Sequence, residues 1–190
     1  ADELAAVHRE GCQVLLVTSG AVAAGFRTIG YKQRPKALAE KQAAAAVGQA
    51  LLMQAYNNAF AARGIGVAQI LLTRPDFAHR KRINNAMMTM EELFRRRIIP
   101  IVNENDTVSV DELKFGDNDM LSALTANLVK AERLIIVTDT DGLYTGDPRK
   151  DPLASRIDRV EEINEQIIHY AGGAGSAVGT GGMRSKIEAA

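Results

Sequence analysis

Four short, almost uninterrupted apolar runs are spaced along the chain at 13–18 (QVLLVT), 65–72 (IGVAQILL), 98–103 (IIPIVN) and 133–138 (RLIIVT). Each is followed by polar or glycine punctuation. That is how strands covered by helices on both faces read. Between the runs lie 36–63, rich in alanine and glutamine and too long for a strand, then 80–97 and 119–130. The order β-α-β-α-β-α-β predicts an α/β fold with a mainly parallel central sheet sandwiched between helices, a three-layer αβα arrangement. No internal repeat, low-complexity linker or shift in composition marks a boundary, so 1–190 is expected to form one domain. The opening ADELAAVHREG reads as the last turns of a helix stopped by Gly11, and MRSKIEAA starts a helix without a stop signal. The fold is therefore expected to be incomplete at both ends.

Composition narrows the class. Of 190 residues, 46% are hydrophobic and 24% charged, which excludes a disordered chain and allows a sizeable core. No apolar stretch reaches the roughly 18 residues of a membrane span, and the first residues lack the apolar core of a signal peptide. A cytoplasmic location is the expectation. The single Cys12 has no partner for an internal disulfide, and is expected to be a half-buried thiol beside a strand. With 23 basic against 23 acidic residues, nucleic acid is not an expected partner. His8, His79 and His169 stand near no plausible nucleophile and read as surface or packing residues. The basic runs 79–82 and 95–97 read as solvated ends of one helix.

In open parallel sheets ligands bind beyond the carboxyl ends of the strands, so the residues after each run are read for chemistry. Thr18-Ser19-Gly20-Ala21 opens an alanine-rich helix. Its backbone N–H groups could receive a carboxylate or phosphate, or Ser and Thr there could be simple caps. After the third run come Asn103-Glu104-Asn105-Asp106 and, beyond a loop, Gly116-Asp117-Asn118-Asp119. These are ordinary turn residues, yet two such clusters on one connection look built to hold a polar, amine-bearing ligand. After the fourth run, Thr138-Asp139-Thr140-Asp141-Gly142 resembles a calcium loop, but the Glu such a loop requires is missing at the right offset. Finally 172–182 (GGAGSAVGTGG) leads into Met183-Arg184-Ser185-Lys186. Backbone donors followed by an ammonium form a phosphate-binding arrangement, with a flexible linker as the plainer reading.

Taken together, VTSGAVAAG (17–25), KQAAAAVGQ (41–49), LLTRPDF (71–77), PIVNENDTV (100–108), FGDNDMLSALTA (115–126), TDTDGLYTGDPR (138–149) and GTGGMRSKIEAA (179–190) resemble the glutamate 5-kinase branch of the amino acid kinase family. The likeness runs in order through almost the whole chain. It implies ATP-dependent phosphorylation of the γ-carboxylate of L-glutamate, the first step of proline biosynthesis, with proline as a feedback inhibitor. It implies that Ser19, Asp106 and Asn118 contact glutamate, with Asp106 holding its α-amino group. Asp119 resembles the acid that positions catalytic lysines, and Lys186 the lysine that stabilises the transferring phosphoryl group. Thr138 and Asp139 match the nucleotide-binding pair; Thr180, Gly181, Gly182, Met183, Arg184, Ser185 and Lys186 match the loop around ATP. Mg²⁺ is expected on the ATP phosphates, with no metal held by protein ligands alone. A homo-oligomer, dimer or tetramer, is implied. The family's first strand with its lysine should precede Ala1. The rest of the kinase domain, and an appended RNA-modification-type domain, should follow Ala190. Two alternatives stay open: another member acting on acetylglutamate, aspartate, carbamate or a nucleotide, and a non-catalytic amino-acid sensor of the same fold.

Overall fold

Three of the four apolar runs meet in one parallel sheet. In the computed structural model, which describes residues 1–109, 118–172 and 182–190, they form β1 (Leu16–Val17), β2 (Val67–Leu72) and β3 (Ile99–Glu104) in the order β1-β3-β2. Leu16 pairs with Ile101 and Val17 with Val102, while Val67 to Leu72 run in register against Ile99 to Glu104. The middle strand is the most buried, with Ile99, Ile101 and Val102 fully enclosed. Its sequence is a continuous apolar run because neither face meets water. β1 is shorter than the 13–18 expected, and β3 supplies a reason. Pro100 precedes the first paired residue and has no N–H to donate, so the ladder on that side starts at Ile101.

The chain divides into two compact units, Ala1–Asn118 and Asp119–Ala190. In the first, α1 (Asp2–Arg9) ends where Gly11 takes φ +103, as its sequence implied. Ala5 of this helix packs with Val14, Ile65, Ile99 and with Phe60 of α3 (Leu38–Ala61). Arg97 is not a merely solvated helix end: its guanidinium donates to the carbonyls of His8 and Gly11, tying α1 to the entry of β3. The short α2 (Ala21–Gly25) lies so close on α3 that Gly25 and Gly48 face backbone directly. α4 (Arg74–Ala78) and α5 (Arg80–Arg95) then lead into β3.

In the second unit α6 (Asn118–Leu128), whose first residue closes the first unit, is followed by the antiparallel pair β4 (Leu143–Tyr144) and β5 (Arg156–Ile157). α7 (Glu165–Ala171) is capped by Asn164, whose Oδ1 accepts from the Ile167 amide at 3.1 Å, and α8 (Met183–Ala189) closes the chain. The expected fourth strand at 133–138 is not formed. A strand exists only where another backbone completes its hydrogen bonds, and among the described residues none pairs with this run. Ile135 and Val137 are accordingly 73% and 90% exposed. Cys12 is likewise exposed rather than half-buried. The parallel sheet flanked by helices is nonetheless the expected α/β class, and fits a three-layer fold. Among the described residues no helix is long and apolar enough to cross a membrane.

Candidate functional site

β1 and β3 are neighbours, so their carboxyl ends deliver Thr18-Ser19-Gly20 and Asn103-Glu104-Asn105-Asp106 to the same edge of the sheet. Thr18 extends the ladder, its amide donating to the Val102 carbonyl at 2.9 Å, and its hydroxyl meets the Tyr56 phenol at 2.7 Å. Ser19 beyond it is exposed. Gly20 turns the chain into α2 at φ +100, a conformation that costs a side chain dearly and glycine little.

After β3 the chain folds into a turn. The Asn105 amide donates to the Leu72 carbonyl at 2.8 Å, and the Ser109 amide to the Asn105 carbonyl at 3.1 Å. Glu104 accepts from the Ser109 hydroxyl at 2.6 Å, and Gln42 of α3 donates to the Ser109 carbonyl. These bonds fix Asp106, half-buried, in the wall of a cleft of about 260 Å³ shared with Ala21, Gln49 and Gln69. Asn118 enters the same region: its Nδ2 donates to the Thr18 carbonyl and, at 3.3 Å, to Asn103 Oδ1. Thus Asn118 is tied to the residue before Ser19, and Asp106 stands on the neighbouring strand end.

In the second unit Lys186 and Asp119 form an ion pair at 2.8 Å, each side chain only 17% exposed. The Ser185 hydroxyl, in the first turn of α8, donates to the Gly182 carbonyl at 2.8 Å and also reaches Asp119, at 3.4 Å. The sequence places Asp119 directly after Asn118, so the first turn of α6 carries one residue of each set. Met183 begins α8 after Gly182, and Arg184 is engaged on the surface with Glu188 at 2.8 Å. Thr180 and Gly181 lie outside the described residues. Thr138 and Asp139 neighbour each other, with the Thr138 hydroxyl 3.3 Å from that of Thr140. They are not brought to Lys186 by any contact among those described. The turn beyond them is held by Tyr144, whose hydroxyl donates to Asp141 at 2.9 Å. That bond, with some burial and the charge of Asp141, raises the phenol's pKa. Among the described residues no group of three or more His, Cys, Asp and Glu side chains could hold a metal ion.

The sequence reading passed over Gln49, Gln69 and Tyr56. The signal for Gln69 was available as a polar residue interrupting an apolar strand run, although its side chain is exposed. Gln49 meets Asn103 from 54 residues away and Tyr56 meets Thr18 from 38, and nothing local announces either contact.

The whole chain, residues 1–190, matches the model of the amino acid kinase family. It is 56% identical over 188 residues to the glutamate 5-kinase of Neisseria meningitidis serogroup B (strain MC58), covering 99% of this chain and 51% of that protein. Its likeness to the glutamate 5-kinase of Neisseria gonorrhoeae (strain NCCP11945) is also 56%, over 64% of that relative. The glutamate 5-kinase of Streptococcus pneumoniae serotype 4 (strain TIGR4) is 54% identical, with 51% of its length covered. The chain thus spans from half to about two thirds of the length of these curated relatives.

Proposed function

This chain belongs to the amino acid kinase family, and from that premise we propose that the protein containing it uses ATP to phosphorylate the γ-carboxylate of L-glutamate. The product is γ-glutamyl phosphate, and the step is the first of proline biosynthesis. The observation that carries this reading is the convergence of Asn118 and the Asn103–Asp106 turn on the end of β1 beside Ser19. A carboxylate, an amide and a hydroxyl gathered at one sheet edge suit a free amino acid, with Asp106 opposing its ammonium.

The chemistry asks little covalent help of the protein. A γ-carboxylate is ionised near neutral pH, so its oxygen attacks the γ-phosphorus directly, ADP departs, and no general base is needed. What the transferring group requires is positive charge in a fixed place. Lys186 supplies an ammonium, and Asp119, 2.8 Å away, holds it in position before the reaction begins. Thr138, Asp139 and the segment from Thr180 to Lys186 are assigned to ATP. Mg²⁺ carried on the nucleotide phosphates would neutralise further charge. Proline, which shares the α-amino acid head group, is assigned as an inhibitor, and the protein as a cytoplasmic homo-oligomer.

The test uses the full-length protein with ATP, L-glutamate and hydroxylamine. Accumulation of γ-glutamyl hydroxamate with stoichiometric ADP is the expected result. Turnover of N-acetylglutamate, aspartate or carbamate in its place would assign the protein to another member activity, and nucleotide-independent amino-acid binding without ADP would mark a sensor.

A further inference from the structure

Gln69 interrupts the apolar run of β2 with an exposed side chain, and Gln49 stands half-buried inside α3. They find each other, Gln49 Nε2 donating to Gln69 Oε1 at 2.8 Å. Gln49 Oε1 accepts from Asn103 Nδ2 at 2.9 Å, and Asn103 Oδ1 accepts from Asn118 Nδ2 at 3.3 Å. Four amides thus form one chain of donors running from Asn118 to Gln69.

Two backbone groups set its direction. The Glu104 N–H can only donate, and it donates to Asn103 Oδ1 at 2.9 Å, so Asn103 must turn its NH₂ toward Gln49. The Thr18 carbonyl can only accept, so Asn118 must turn its NH₂ toward Thr18. Reversing Asn103 would set like groups face to face at a residue only 2% exposed, where water cannot repair the loss. Both N–H groups of Asn118 are consequently committed to Thr18 and Asn103. Among the described residues its Oδ1 is the atom left over.

We propose that Gln49 is a positioning residue which, through Asn103, holds Asn118 Oδ1 as a hydrogen-bond acceptor for the ammonium of the amino-acid substrate. The inference rests on the reading of the protein as a glutamate kinase. An ammonium only donates and a carboxylate only accepts, so an oriented Oδ1 admits one end of an amino acid and repels the other. The relay would therefore decide which way round the head group docks. Its far end, Gln49 and Gln69, opens on the cleft that Asp106 lines.

The experiment compares Gln49→Met and Gln49→Glu in the full-length protein. Methionine keeps the length but removes the acceptor, leaving Asn103 Nδ2 without its partner in a buried place and so loosening Asn103 and, through it, Asn118. The KM for glutamate should rise roughly tenfold, while kcat and the KM for ATP stay within about twofold. Glutamate at position 49 can accept from Asn103 and from Gln69, whose exposed amide can turn to donate, so its KM should stay within about threefold of the wild type. An unchanged KM in Gln49→Met overturns the proposal. So does a loss spread equally over glutamate, ATP and thermal stability, and so does a Gln49→Glu variant as impaired as Gln49→Met. A readout without turnover is the exchange of the Asn118 side-chain amide protons in ¹⁵N spectra, slow in the wild type and faster in Gln49→Met; equal rates overturn the relay. A wild type inactive on glutamate overturns the substrate reading and the ammonium assignment with it, while the exchange rates decide the relay separately.

Discussion

Lys186 and Asp119 concentrate the residue-scale chemistry of the second unit. Each side chain of the pair is only 17% exposed, at either end of a 2.8 Å contact, so neither charge is strongly screened by water. Charge that grows on a transferring phosphoryl group meets the ammonium most strongly at the transition state, not in the ground state. Lys186→Ala is therefore expected to lower kcat by about 10²–10³ while the KM for ATP changes far less. Steady-state kinetics over a matrix of ATP and glutamate concentrations checks this. A drop confined to ATP affinity would make Lys186 a ground-state contact only. Sequence resemblance singled out both residues, but they are 67 positions apart and only the fold brings them into contact.

At the scale of elements, the crossing of α2 and α3 positions the Ser19–Gly20 corner. Gly48 is in a helix, where alanine ordinarily gains about 1 kcal/mol over glycine. Here a Cβ on Gly48 would overlap the Ala21 carbonyl, and one on Gly25 would overlap the Ala44 carbonyl. Both obstacles are backbone and cannot swing aside. Gly48→Ala should cost toward the upper end of the about 1–3 kcal/mol typical of overpacking. The expected fall in Tm is roughly 6–12 °C, and glutamate binding should suffer because α2 begins one residue after Gly20. A second element-scale device is the start of α4. The Asp76 carboxylate accepts from the Thr73 amide and hydroxyl, each at 2.7 Å, and pairs with Arg82 at 3.2 Å. Burial pushes its pKa up, but the Thr73 bonds and Arg82 together outweigh that and hold it below the ordinary aspartate value. A depressed folded pKa contributes stability that is present above the ordinary value and lost as pH falls through the lowered one. Thr73→Ala should cost about 1 kcal/mol at neutral pH, and denaturant titrations should find that difference shrinking on acidification through this window. A penalty constant across pH would mean that Asp76 is not the partner that matters.

For the molecule as a whole, the three residues assigned to glutamate all belong to the first unit, while Lys186, Asp119, Thr138 and Asp139 belong to the second. An inhibitor that shares the head group of glutamate need only engage the first set. Proline and glutamate are accordingly expected to compete, with saturating glutamate raising the apparent proline dissociation constant in proportion to its concentration. Asp106→Asn should weaken both ligands by about 2–3 kcal/mol, since each loses the charge opposing its amino group. Calorimetric titration of proline at several glutamate concentrations measures this directly. Proline affinity independent of glutamate would move the inhibitory site elsewhere.

Sequence by itself determined the class of fold and offered candidate positions for chemistry within it. Continuous apolar runs reveal parallel strands because a strand covered on both faces has no polar side to show, and β2 and β3 lie within one or two residues of where the runs place them. With the strands located, Ser19, Asp106 and Asn118 stand out as polar clusters after apolar runs or before a helix. The same logic misread 133–138, because hydrophobicity reports what a segment would bury but not whether a second backbone lies alongside to complete its ladder. Tertiary structure alone decided that, and it alone decided the orientation of the buried amides. Asn103 is 54 residues from Gln49 and 15 from Asn118. The direction in which each amide points follows from two backbone groups, at Thr18 and Glu104, whose hydrogen bonds run one way only.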